Sequence, residues 1–218
     1  MRLSLSQLEA ARKRPGAFAA AQLGTFSGIR PTFFSFWVFA AKWYHKLLKD
    51  NDPRSAEKAH DYLLQHCRAK LSNDPDFDTK LAFHARKLDE YIASHAALNQ
   101  PTVQTNKRVL FKNIPGHLVS GVVGRLDIVP TGGFAATNFT ARRSNWQKEL
   151  RTAIIQYSLA EELRRPLSEI SVGMYCIEAG DHDYVCLSDT AVNKAVQELG
   201  NVLNRVDAEI KRLRRAKS

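Results

Sequence analysis

The sequence is sparing with cysteine, with acid and with long apolar runs, and each shortage excludes something. Its three cysteines, Cys67, Cys176 and Cys186, are odd in number and scattered, and none stands in a Cys-x-x-Cys spacing. A disulfide framework and a cysteine zinc site are excluded on that count, and buried reduced thiols in a cytoplasmic protein are the expectation. The most apolar stretch, residues 31–44 (PTFFSFWVFAAKWY), is too short to span a bilayer and is interrupted by Lys42. It predicts a buried or interface helix, and no membrane partner is expected. The first residues carry Arg2, Glu9, Arg12, Lys13 and Arg14 without a continuous apolar core, so no signal peptide is expected either. Glycine and proline, at 11 and 8 of 218 residues, are too few for collagen-like or low-complexity structure.

Common catalytic patterns are missing as well. His45, His60, His66, His84, His95, His117 and His182 are dispersed, and no pair has the i, i+4 spacing of a zincin helix. No serine stands in a Gly-x-Ser-x-Gly elbow. Gly132-Gly133 is not followed by Gly-Lys-Ser/Thr, so it reads as a turn and not a phosphate loop. Asp181 and Asp183 flank His182 in what reads as a solvated turn. The shortage of acid is the informative one: 22 Asp and Glu against 32 Lys and Arg leave a net charge of +10. That balance favours a polyanionic partner, nucleic acid first.

What is present is a globular chain, 44% hydrophobic and 25% charged, of a length for one domain. Residues 1–100 read as a helical lobe. Ser4 or Ser6 caps a short helix that stops near Arg14-Pro15-Gly16, the aromatic helix follows, and Pro53, Pro75 and Pro101 break the rest. Residues 101–190 change period to two. Strands are predicted from Arg108, over 117–129 and, after a turn at Thr131-Gly132-Gly133, over 134–140. A helix over 144–165 and strands over 170–178 and 184–187 complete this part. Residues 190–218 are a basic helix ending in Lys211, Arg212, Arg214, Arg215 and Lys217. The order predicts an α/β (α+β) fold: a central mixed β-sheet flanked by helices, with an N-terminal helical lobe.

One segment carries a motif. Gly124-Arg125-Leu126-Asp127-Ile128-Val129 closes a strand, a tight turn and a second strand ending in Asn138-Phe139-Thr140 follow, and Tyr157 lies on the next helix. This arrangement resembles the core of the PD-(D/E)XK nuclease superfamily, in particular its RecB-like exonuclease branch. There the first strand reads roughly Gly-x-x-Asp-x-(Ile/Val), the second apolar-apolar-Asp-(Phe/Tyr)-Lys-(Ser/Thr), and the helix Gln-x-x-x-Tyr. Leu5-Ser6-Gln7-Leu8 with Pro15 and Phe18 resembles the branch's usual start, and His60 or His45 its N-terminal histidine. The resemblance implies a restriction-endonuclease-like core in which paired carboxylates hold Mg²⁺ or Mn²⁺ beside a DNA phosphate.

The motif is degenerate. On the expected face, the second carboxylate is Asn138 and the lysine is Thr140, with Phe139 turned away. Ala153 replaces the glutamine four residues before Tyr157. An amide brings no charge, so Asp127 and Asn138 make a poor Mg²⁺ site. The expectation is a retained fold without cleavage and without a cofactor, binding DNA or serving a DNA-processing or defence complex. Arg142, Arg143, Trp146, Lys148 and Arg151 would then meet the nucleic acid, the cations on phosphates and the indole by stacking. The rival is an active nuclease in which Lys148 and Glu149 supply the missing cation and acid, with Asp127 and His60 as metal ligands. A third reading is a protein-interaction subunit that docks through residues 33–44 or the C-terminal helix.

Overall fold

The computed structural model of the chain describes residues 1–23 and 30–216, so Lys217 of the basic run lies outside the described residues. The chain opens with strand β1 (Arg2–Ser4) and a 3₁₀ turn (Leu5–Gln7), then helices α1 (Leu8–Lys13) and α2 (Pro15–Gln22). Three longer helices follow: α3 (Phe33–Lys49), α4 (Ser55–Leu71) and α5 (Phe77–Leu98). Strands β2 (Thr102–Phe111), β3 (Leu118–Ile128) and β4 (Phe134–Thr140) come next. A 3₁₀ turn at Trp146–Lys148 leads into α6 (Leu150–Leu163), β5 (Ile170–Cys176), β6 (Asp181–Val185) and α7 (Asp189–Arg215).

The six strands form one mixed sheet in the order β1-β3-β4-β5-β6. β2 runs antiparallel to β3 over the length that β1 and β4 share on its opposite edge. β4 and β5 are parallel, joined through α6, and the β3–β4 hairpin turns at Gly132, whose φ of 90° suits glycine. Helices cover both faces. On one, β1, α1, α2, α6 and α7 bury Leu3, Leu8, Ile154, Leu159, Leu199 and Leu203 against the sheet. On the other, α3, α4 and α5 bury Trp37, Leu63, Leu88 and Tyr91 against Tyr175 and Ile177. The expected mixed sheet between helices is the architecture observed.

Residues 1–23 do not share a layer with α3–α5. Leu3 from β1 and Leu5 from the 3₁₀ turn both enter the first core, and Arg2–Ser4 pairs parallel with Leu118–Ser120 as a strand. Pro15 starts α2 at its first turn, where its missing N–H costs nothing. The aromatic stretch is α3, begun by Thr32 and Ser35, which hydrogen-bond each other's backbone N–H. It buries Phe33, Phe36, Trp37, Ala40, Ala41 and Tyr44. Among the described residues no helix is long and apolar enough to cross a membrane. All three cysteines are free; Cys67 and Cys176 are buried, but Cys186 is exposed, contrary to expectation.

Candidate functional site

The strand β3 changes face on its way to Asp127. Val123 and Leu126 both face the first core, although three residues apart, while Arg125 and Asp127 face α3 and α5. The change of face falls at Gly124, which with Asn106 (φ 50°) lies between the pairs Lys107–Val123 and Thr105–Arg125; the register with β2 holds there and shifts only between Thr102 and Gln104. Gly124 needs its missing side chain: a Cβ would stand 2.5 Å from the Phe139 ring and 3.0 Å from the Thr137 carbonyl. Its N–H donates to Asn138 Oδ1 at 3.1 Å.

Asp127 is therefore fully buried, and both its oxygens are taken. Thr102 donates to Oδ1 at 2.8 Å, and Arg125 Nε donates to Oδ2 at 2.6 Å. Arg125, also fully buried, donates through Nη1 to the Tyr91 hydroxyl and through Nη2 to that of Tyr184, 3.4 Å away. Since Thr102's single proton goes to Asp127, His45 Nδ1 must donate to Thr102 Oγ1 (3.3 Å). His45 Nε2 is then the acceptor for Tyr91. One proton assignment satisfies the whole chain Arg125–Tyr91–His45–Thr102–Asp127.

The electrostatics follow from burial. Desolvation pushes Asp127's carboxyl up, against the opposing pull of Arg125 and Thr102. It holds His45 well below the ordinary histidine value, with Arg125 adding to the effect, and takes His95 and His182 down to about 3. The His95 ring meets His45 edge-on at 4.3 Å, and the His182 ring stacks on Tyr184 at 5.9 Å. The three imidazoles are neutral, and Arg125 with Asp127 forms a charge-balanced pair among them.

Most of the motif residues are elsewhere. Asn138 and Thr140 alternate with Thr137 and Phe139, and it is Phe139 that packs on Trp37 and Tyr91, on Asp127's side of the sheet. Asp127 pairs in register with Ala135, and Asn138 is three residues further on, roughly 10 Å along the strand. Because Asp127 pairs with Ala135, its face of β4 carries Ala135, Thr137 and Phe139, and the expected common face of Asp127, Asn138 and Thr140 is corrected by the register of the hairpin. Tyr157 lies against Phe111, its hydroxyl accepting from Asn113. Glu149 pairs with Arg151 at 2.5 Å at the start of α6. Lys148 is exposed in the 3₁₀ turn. His60 bonds to Asp89 at 2.7 Å, between α4 and α5. His45 alone of the candidate histidines joins Asp127. Arg125, Tyr91, Tyr184 and Thr102 were not singled out from sequence; the one available signal was opposite charge at Arg125 and Asp127, two apart on one strand.

A cleft of about 640 Å³ opens at the carboxyl ends of β4 and β5, lined by Thr140, Arg143, Gln147, Met174, Cys176 and Asp183 among others. Trp146 and Met174 place it on the first-core side of the sheet, and His182 at its edge also packs against Tyr91 and Tyr175 on the other side. The basic residues beside it are paired: Arg142 with Glu178, Arg143 with Asp181. Trp146 is 3% exposed in the first core, so the expectation that its face offers a stacking platform is corrected. A divalent metal was implied by the resemblance. The donor set around Asp127 does not fit one, because a guanidinium already occupies its charge and a hydroxyl its second oxygen. Among the described residues no three His, Cys, Asp or Glu side chains converge to hold a metal.

Comparison with known proteins bears on the fold. The crystal structure of a "Putative exonuclease" from Eubacterium rectale matches 95% of this chain and 82% of its own, with a TM-score of 0.51 at 9% identity. The likeness is one of fold. A second solved structure, SSO0001, covers 88% of the chain and 84% of its own at 10% identity, but its TM-score of 0.31 carries no argument. No protein-family model and no curated protein matches the chain.

Proposed function

We propose that the chain is a DNA-binding protein on a nuclease-like fold that does not cleave DNA, and that it acts within a DNA-processing or defence assembly in the cytoplasm. The observation that carries the reading is the buried Arg125–Asp127 pair at 2.6 Å. A catalytic carboxylate must offer oxygens to a metal or a water at a solvent-reachable phosphate. Here the acid at the motif position is closed off and spends its charge internally. A solved protein named for exonuclease activity shares the fold, and the net charge of +10 suits a polyanion.

The test is direct. Purified protein incubated with labelled DNA and Mg²⁺ or Mn²⁺ should leave the DNA intact, while retaining it in an anisotropy titration that weakens as salt rises. Metal-dependent cleavage that disappears on Asp127→Asn would overturn the non-cleaving part. Absence of binding at low salt would overturn the DNA part.

A further inference from the structure

Helix α7 has an unusual division of charge. Its inner side buries Val192, Leu199, Val202, Leu203 and Val206 in the first core. Its outer side exposes Lys194, Gln197, Asn201, Arg205, Lys211 and Arg212, which recur at helical spacing along one stripe. No Asp or Glu lies on that stripe. The helix's acids sit at its start or on its flanks, and those on the flanks are engaged: Glu198 by Arg12 at 2.6 Å, Asp207 by His117 at 3.4 Å, Glu209 by Arg212 at 2.8 Å. Lys194, Arg205 and Lys211 face no carboxylate among the described residues. Arg205 Nε reaches only the Asn201 carbonyl of its own helix, at 3.4 Å.

We infer that the outer face of α7 is a docking surface for the phosphate backbone of duplex DNA. The inference rests on the DNA-binding reading above and names its surface. From Lys194 to Arg212 the stripe is about 27 Å long at 1.5 Å per residue, the rise of about eight base pairs. Amides interleave with the cations, and both donate to phosphate oxygens. The helix contains no aromatic residue, so it lacks the stacking platform that single strands use. Its outer stripe has no large apolar side chain to enter a lipid interface. By contrast Arg142, Arg143 and Arg151 are each committed to a carboxylate, which makes α7 the better source of uncompensated charge.

The experiment uses the full chain and a short labelled duplex of random sequence. The variant Lys194→Gln/Arg205→Gln/Lys211→Gln, exposed throughout, should melt as the wild type does. Its affinity at low salt should fall roughly tenfold or more. The slope of log affinity against log salt should shrink by about 2.7, three contacts at 0.9 each. Arg142→Gln/Arg143→Gln should move neither by more than about twofold. Wild-type binding with an unchanged slope in the α7 variant would overturn this surface and leave the DNA-binding reading standing. A wild type that binds no DNA would overturn that reading itself. Single strands or phosphatidylglycerol vesicles bound more tightly than the duplex would overturn the choice of partner.

Discussion

Arg125 decides what Asp127 is. A buried ion pair costs several kcal/mol of desolvation per ion and recovers it only through close geometry and further hydrogen bonds. Arg125 meets both conditions, with Asp127 at 2.6 Å and the Tyr91 and Tyr184 hydroxyls on its remaining nitrogens. Removing one partner leaves the other charged and alone. Asp127→Ala should therefore destabilise the protein by about 3–5 kcal/mol in denaturant unfolding, and Arg125→Met by a similar amount. The double variant should cost clearly less than the sum, because the stranded charge is gone. Additive costs would show that the two residues do not act as a pair.

At the scale of elements, the histidines of α3, α5 and β6 converge on one buried network. His95 and His182 have folded-state values near 3, against an ordinary value of 6.5. Between those limits the unfolded chain takes up protons that the folded chain refuses, so stability falls as pH falls below about 6.5. From pH 7 to pH 5 the two should remove on the order of 2–4 kcal/mol, allowing for partial solvent screening. Urea midpoints across that range measure it, and His182→Phe should flatten the curve. A midpoint unchanged between pH 7 and pH 5 would mean that these rings are not held neutral by burial. The helices and the hairpin at Gly132 were legible from period, caps and turn residues. The face of β4 that Asp127 shares was not, because it depends on the hairpin register, in which Asp127 pairs with Ala135 and so lies on the side of Thr137 and Phe139.

Across the whole molecule, one sheet separates two cores, and the first of them is closed by segments from both ends of the described chain. Leu3 and Leu5 enter it from β1 and the turn that follows, beside residues of α1, α2 and α7. Leu5 is 6% exposed and packs directly over Gly121. Leu5→Ala should cost about 2–5 kcal/mol by lost transfer energy and cavity formation, read as a drop in denaturation midpoint. A loss below about 0.5 kcal/mol, the scale of a surface change, would show that the N-terminal segment is not part of the core.

By itself the sequence determined the class of fold, the order of helices and strands beyond residue 30 and the surplus of positive charge. These follow from composition and from periods of two and 3.6, which are local. The tertiary structure alone decided which side of the sheet each motif residue faces, that Arg125 and not a metal neutralises Asp127, and that Arg142 and Arg143 are paired. It also left Lys194, Arg205 and Lys211 on the outer face of α7 without a carboxylate partner among the described residues, while Arg212 is paired with Glu209. Each of these depends on contacts between residues far apart in the chain, where a one-residue slip reverses a face and one neighbouring carboxylate cancels a cation.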